Sequence, residues 1–247
     1  MIKVLFSLKT ISLAILLLLV LGSPALSSAQ EGDRIPEVRI ADSKGDWGYP
    51  NPFRHYPRGP GYVRMSWVFD TLIWKDQAGY VPALADSWSY DPAETAFTFN
   101  LNPKARWHDG KPLTADDVVF TIQYFKKHPY TWVTVDDVSR VEARGPHKVL
   151  IYLAKPYAPF RPDIGGTMPV LPRHIWESVE KPGEYNDPEA FTGSGPYRFM
   201  DFNKAQGTYL YEAFDNYYQG RPRADRLIYV RAGQPMVSLS TRQVDLA

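Results

Sequence analysis

Proline spacing constrains this chain more than any other feature. The 22 prolines among 247 residues are scattered rather than run together, which is well above the roughly 5% of average usage. Each fixes one φ angle and removes one backbone donor, which favours rigid turns. A loop-rich globule with many rigid turns is expected, not a proline-rich linker. The densest stretch, residues 43–61, holds Pro50, Pro52, Pro57 and Pro60 together with Gly45, Gly48, Gly59 and Gly61. That density forbids regular structure and predicts a long ordered loop of the kind that packs on its own side chains or carries function.

Composition removes several classes. With 28 Lys and Arg against 27 Asp and Glu, there is no net basic charge to hold nucleic acid. A hydrophobic share of 44%, with 7 Trp, 16 Tyr and 12 Phe, is incompatible with disorder. The absence of cysteine rules out disulfides, thiolate metal sites, cysteine catalysis and a lipid-modified N-terminal cysteine.

Residues 1–29 have a short basic start (Lys3, Lys9), an apolar stretch from Leu13 to Leu21, a break at Gly22 and Pro24, and small residues at Ser27 and Ala29. This is the grammar of a secretory signal peptide cleaved after Ala29. The apolar stretch is too short for the roughly 20 residues of a membrane-spanning helix. Removal of Lys3 and Lys9 without any acid would leave a mature chain with a net charge of about −1. The mature protein is therefore expected in a periplasm or outside the cell, without a lipid anchor.

Along the mature chain, Glu37–Ala41 is a strand candidate. Val63, Trp67, Val68 and Leu72 recur near a helical period and predict a helix over Tyr62–Trp74. Ser87–Tyr90 and Thr95–Leu101 form a predicted hairpin, Phe97, Phe99 and Leu101 alternating with polar residues. In residues 112–126, Thr114 can cap a helix with Asp117 at the third helical position and Val118, Ile122 and Phe125 on one face. A second hairpin, Val138–Arg144 and Lys148–Leu153, turns at Gly145-Pro146. A short helix is expected over Leu171–Val179, and strands over Tyr197–Phe202, Thr208–Phe214 and Leu227–Arg231. Without βαβ regularity, the fold class is α+β or mixed α/β.

Catalytic chemistry finds little support. No two of His55, His108, His128, His147 and His174 are spaced as metal ligands. The pairs Asp116/Asp117 and Asp136/Asp137 suit a cap or helix dipole better than acid/base work, because adjacent helical side chains diverge. Gly193-Ser194-Gly195 is followed by Pro196, which removes a donor that a nucleophile elbow or phosphate loop would need. A binding role without catalysis, metal or cofactor fits these features.

Several segments carry a resemblance. Val68–Trp88, Trp107–Ile122, Val170–Glu177, Gly193–Phe199, Glu212–Val230 and Gln243–Ala247, in that order, resemble the family 5 extracellular solute-binding proteins. These are peptide, oligopeptide and nickel receptors of ATP-binding-cassette importers; Arg242-Gln243 stands where the family's last element has Gly-Glu. The resemblance implies a monomeric, type II periplasmic-binding-protein-like receptor of two lobes that closes on its ligand. It implies that residues 30–247 are the first lobe, truncated before the second, with an open face that binds weakly or not at all by itself. Peptides or similar small solutes would be the ligands, and an importer permease with its ATPase the partner. By position it assigns ligand contact to Asp46, Trp47 and Gly48 within the Lys44–Tyr49 loop, to Tyr130 and Trp132, and to Ser194 and Tyr197 near the boundary between lobes. An oligosaccharide ligand and a secreted glycoside hydrolase fragment are the competing expectations.

Overall fold

A computed structural model describes residues 34–57 and 59–247; the expected signal peptide lies outside them. Among the described residues, ten strands and four α-helices build two four-stranded sheets and a separate hairpin. The first sheet contains β1 (Val38–Asp42), β8 (Tyr197–Asn203), β9 (Thr208–Ala213) and β10 (Arg226–Arg231) in the order β1-β10-β9-β8. β1 runs parallel to β10 and the other pairs are antiparallel. The closing Gln243–Ala247 segment lies along the remaining edge of β1, Leu246 accepting from the Ala41 amide at 2.8 Å.

The second sheet is wholly antiparallel, in the order β4-β5-β7-β6, from β4 (Ala85–Asp91), β5 (Ala96–Leu101), β6 (Val138–Ala143) and β7 (Lys148–Leu153). Helix α2 (Ala115–Lys127) packs on β6 and β7. It begins as its sequence predicts: the Asp117 carboxylate accepts the Thr114 amide at 2.8 Å, closing the first turn from the side chain. The other oxygen of Asp117 takes the Arg173 amide at 3.0 Å, tying α2 to α3 (Arg173–Trp176). Asp117 is thus a buried structural carboxylate, raised above its ordinary value by burial although the bonds from Thr114 and Arg173 oppose the shift.

One expectation fails. The helix expected over Tyr62–Trp74 is instead α1 (Gly59–Ser66), and Trp74 belongs to the hairpin of β2 (Ile73–Asp76) and β3 (Gly79–Pro82). The apolar spacing is real, but distant backbone claims the carbonyls that a longer helix would use. Trp67, Val68, Asp70, Thr71 and Leu72 accept from Tyr197, Gly195, Val170, Leu84 and Ala85 respectively. Their i+4 neighbours cannot compete for the same oxygens. Residues 67–72 are therefore an irregular seam stitched to three remote parts of the chain, with Val68, Phe69 and Leu72 fully buried. Helix α4 (Pro235–Ser240) was not anticipated; none of its residues is buried, so no apolar face marks it in the sequence.

The same seam explains the Gly-Ser-Gly run. A side-chain carbon on Gly193 would stand 1.8 Å from the Val68 carbonyl oxygen, so only glycine permits this approach. His108 completes the junction: its Nε2 lies 2.9 Å from the Gly195 carbonyl, and the Gly193 amide donates to its Nδ1 at 3.3 Å. Burial pushes this imidazole down to about 4. A neutral ring with a protonated Nε2 satisfies both contacts.

Candidate functional site: an aromatic wall beside a carboxylate

The proline-rich loop is ordered by a buried hub. Asp42, at the end of β1, accepts the Lys44 and Gly45 amides at 2.8 and 3.0 Å, and the Trp47 indole at 2.7 Å. It also pairs with Arg64 of α1, both side chains being under one-tenth exposed. The Arg64 guanidinium lies 3.8 Å from the centre of the Tyr229 ring. Tyr209 locks the next turn, accepting the Trp47 amide and donating to the Gly48 carbonyl, both at 2.8 Å. The Trp47 carbonyl takes the Tyr56 amide at 2.8 Å and the Gly48 amide goes to Asp46 at 3.0 Å. The backbone of Trp47 and Gly48 is thus fully engaged, and a ligand strand would have to break internal bonds to pair there. What this turn leaves open is the half-buried Trp47 ring under the Lys44 ammonium, 4.5 Å from its centre.

Two segments far apart in sequence meet next to this loop. The tight turn bridged between Tyr130 and Val133 pushes Trp132 outward, over one-third exposed. Its ring stacks on His55 at 6.3 Å with an interplanar angle of 20° and meets Tyr62 of α1 at 5.6 Å. Tyr130 sits beneath, buried and stacked on Phe125 at 5.2 Å, and its hydroxyl has no hydrogen-bond partner among the described residues. Tyr130 therefore supports the wall, while Trp132 forms its surface.

From Tyr62 the wall continues into a groove of about 450 Å³ whose lining includes Trp67, Asp70, Trp74, Pro196 and Tyr217. Asp70 is its one carboxylate. The hydroxyls of Tyr217 and Tyr218 both donate to Oδ2, at 3.1 and 2.8 Å. Burial pushes the Asp70 carboxyl up to about 7, against the pull of these two bonds. The groove offers flat aromatic surface, apolar rim and one acceptor whose charge changes near neutral pH.

Of the residues expected at the ligand, Trp47 and Trp132 present open rings. Asp46 is half-buried, facing Lys204 at 3.9 Å. Ser194 and Tyr197 are in the core: Ser194 is fully buried, and Tyr197 packs edge-on against Trp67 at 5.5 Å and bonds the Ala224 carbonyl. Sequence reasoning missed Tyr62, Asp70, Trp74 and Tyr217. Nothing local flags them, because Asp70 meets Tyr217 and Tyr218 only through the fold. Among the described residues, no group of three or more His, Cys, Asp or Glu is placed to hold a metal ion.

Two four-stranded sheets joined by the seam at residues 67–72 carry the aromatic wall and the groove, and known proteins share this fold. A family profile described as "Bacterial extracellular solute-binding proteins, family 5 Middle" matches residues 79–247; the chain belongs to this family. It is 32% identical over 154 residues to the oligopeptide-binding protein AppA of Bacillus subtilis, covering 60% of this chain and 28% of that protein. Among solved structures it is similar to the ABC transporter substrate-binding protein CtaP of Listeria monocytogenes, with a TM-score of 0.72 and 28% identity over 85% of this chain and 44% of that one. It is also similar to NikZ of Campylobacter jejuni in complex with Ni(L-His), with a TM-score of 0.70 and 25% identity over 85% and 42%. The neighbours are type II periplasmic binding proteins, and the chain spans less than half the length of each.

Proposed function

We propose that this chain captures a peptide or similar small solute outside the cytoplasmic membrane, as the receptor of an ABC importer, and hands it to the permease. The relatives' binding of oligopeptides and of a nickel–histidine complex supports a small amino-acid-derived ligand. The observation that carries the reading is the aromatic wall of Trp132, His55 and Tyr62 opening into the groove beside Asp70. In this reading residues 1–29 direct export and residues 30–247 form the first of two lobes. Trp47 and Trp132 touch ligand, Asp46 and Gly48 shape the loop under it, Tyr130 props Trp132, and Ser194 with Tyr197 fixes the seam behind the groove. One lobe supplies one face, so affinity for the lone chain is expected to be weak.

The test is a titration of the isotope-labelled chain with short peptides, followed by NMR. Saturable shifts should centre on the Trp132 and Trp74 indoles, and Trp132→Ala should raise Kd about tenfold, the equivalent of about 1.4 kcal/mol. Unchanged affinity in that variant would remove the wall from the binding site. Oligosaccharides provide the second arm, because sugar rings also lie on Trp and Tyr faces; preference for them over peptides would replace the peptide reading.

A further inference from the structure

The second sheet has an edge strand, β4, that its own helix does not cover. Trp88 and Tyr90 of β4 pair with Phe99 and Phe97 of β5, so these four side chains share the inward face of the sheet. Helix α2 packs on β6 and β7 at the other end of the sheet. Over β5, cover comes from a short 3₁₀ turn, Ala158–Phe160, whose Phe160 stacks on Phe97 at 4.0 Å and 9°. Over β4 the cover is incomplete. Tyr90 remains 40% exposed although it belongs to the inward face, and a groove of about 560 Å³ lies between Trp88, Tyr90 and Phe97 on one side and Pro156–Ala158 on the other.

Among the residues that line this groove, the one charged side chain is a cation. Arg161 lines it and holds its guanidinium 5.1 Å from the centre of the Tyr80 ring; the Lys75 ammonium approaches the same ring at 5.7 Å. Among the described residues neither cation forms an ion pair, and the Asp163 carboxylate is bonded by the Tyr157 hydroxyl. The cavity has the size of a small-molecule site, with aromatic walls and few polar groups. Its free guanidinium is a bidentate donor suited to carboxylate. It shares no lining residue with the Asp70 groove, and its charge has the opposite sign.

We propose that this groove is a second binding site, selective for a small organic anion with a flat apolar body and a carboxylate. The apolar body lies on Trp88, Tyr90 and Phe97, and the carboxylate meets Arg161.

Hydrocinnamate, phenylpropylamine and phenylpropanol are the probes, each titrated into the isotope-labelled chain. Hydrocinnamate should give saturable shifts at the Trp88 indole and at the amides of Tyr157 and Arg161, with the amine giving none and the alcohol binding more weakly. Arg161→Gln, an exposed and conservative change, should weaken hydrocinnamate at least fivefold, and Tyr90→Ala should do the same with the fold unchanged by circular dichroism. Trp74→Ala, in the other groove, should leave this binding intact. The proposal is overturned if hydrocinnamate does not saturate, if the amine binds as well as the acid, if Arg161→Gln has no effect, or if Trp74→Ala abolishes the signal.

Discussion

The two four-stranded sheets solve the same packing problem with different chemistry. The second sheet is held by apolar surface: Phe97, Phe99, Val149 and Ile151 belong to one buried cluster with Phe160 and with Val118, Ile122 and Phe125 of α2. The first sheet supports a long loop that has no ladder of its own. It does so with a buried polar hub, Asp42 and Arg64, extended through Trp47, Tyr209 and Tyr229. Regular backbone needs only a buried face, whereas an irregular loop needs a partner for each polar group. The aromatic wall draws His55 from the loop and rests Trp132 above Tyr130 and Phe125, so its geometry depends on the hub as well as on the apolar core.

Breaking the hub gives the largest expected effect. Asp42→Ala leaves Arg64 buried and unpaired and should cost about 4 kcal/mol. Phe99→Ala, the counterpart in the second sheet, should cost about 3 kcal/mol by opening a cavity. Urea unfolding measures both, but the contrast lies in the NMR signal of the Trp47 indole. It should move in a folded Asp42→Ala sample and stay in Phe99→Ala; the same response in both would erase the distinction drawn here.

A smaller effect comes from the loop's own turn. Gly48 has φ of +77°, and an added side-chain carbon would lie 2.3 Å from the Arg54 carbonyl oxygen. Gly48→Ala should therefore cost about 2 kcal/mol and weaken peptide binding with it, as calorimetric unfolding and the same peptide titration would show.

The smallest effect is one of pH. Asp70 is raised to about 7 in the fold from an ordinary 3.8. Between these values the folded state keeps a proton that the unfolded chain has released, so this group makes stability fall as pH rises through the window. Asp70→Asn cannot ionise, so its stability relative to the natural protein should improve from pH 4 to pH 7 and level off above. His108 acts in the opposite direction, its contribution being lost as pH falls from 6.5 toward 4, but it is common to both proteins and cancels. Parallel stability curves would show that the Asp70 carboxyl is not held neutral.

Local periodicity made much of the second sheet legible. The alternation of Phe97, Phe99 and Leu101 and the Thr114–Asp117 pairing are read within a few residues, and β5 and α2 form where those signals lie. The stretch from Tyr62 to Trp74 misled because its apolar spacing suits a helix while remote amides take its carbonyls, a competition that no local window contains. The site divides in the same way. Family likeness pointed to Trp47 and Trp132, but Asp70 becomes part of a groove only when Tyr217 and Tyr218 arrive from far along the chain. The same likeness assigned Ser194 to ligand by its place near the boundary between lobes; its flanking glycines instead allow backbone to close over it.

The seam at residues 67–72 also bears on the order in which the molecule can form. Its carbonyls wait for Leu84 and Ala85, then Val170, then Gly195 and Tyr197, so the segment is satisfied in stages as successively later parts of the chain become available. Loop closure over such separations is slow relative to hairpin formation. The hairpins of the second sheet can therefore form early, while Trp67 and Asp70 of the groove take their places only after the Gly-Ser-Gly run docks. A nascent chain that has not yet reached Tyr218 would hold most of its aromatic residues but would leave Asp70 without the two hydroxyls that bond it.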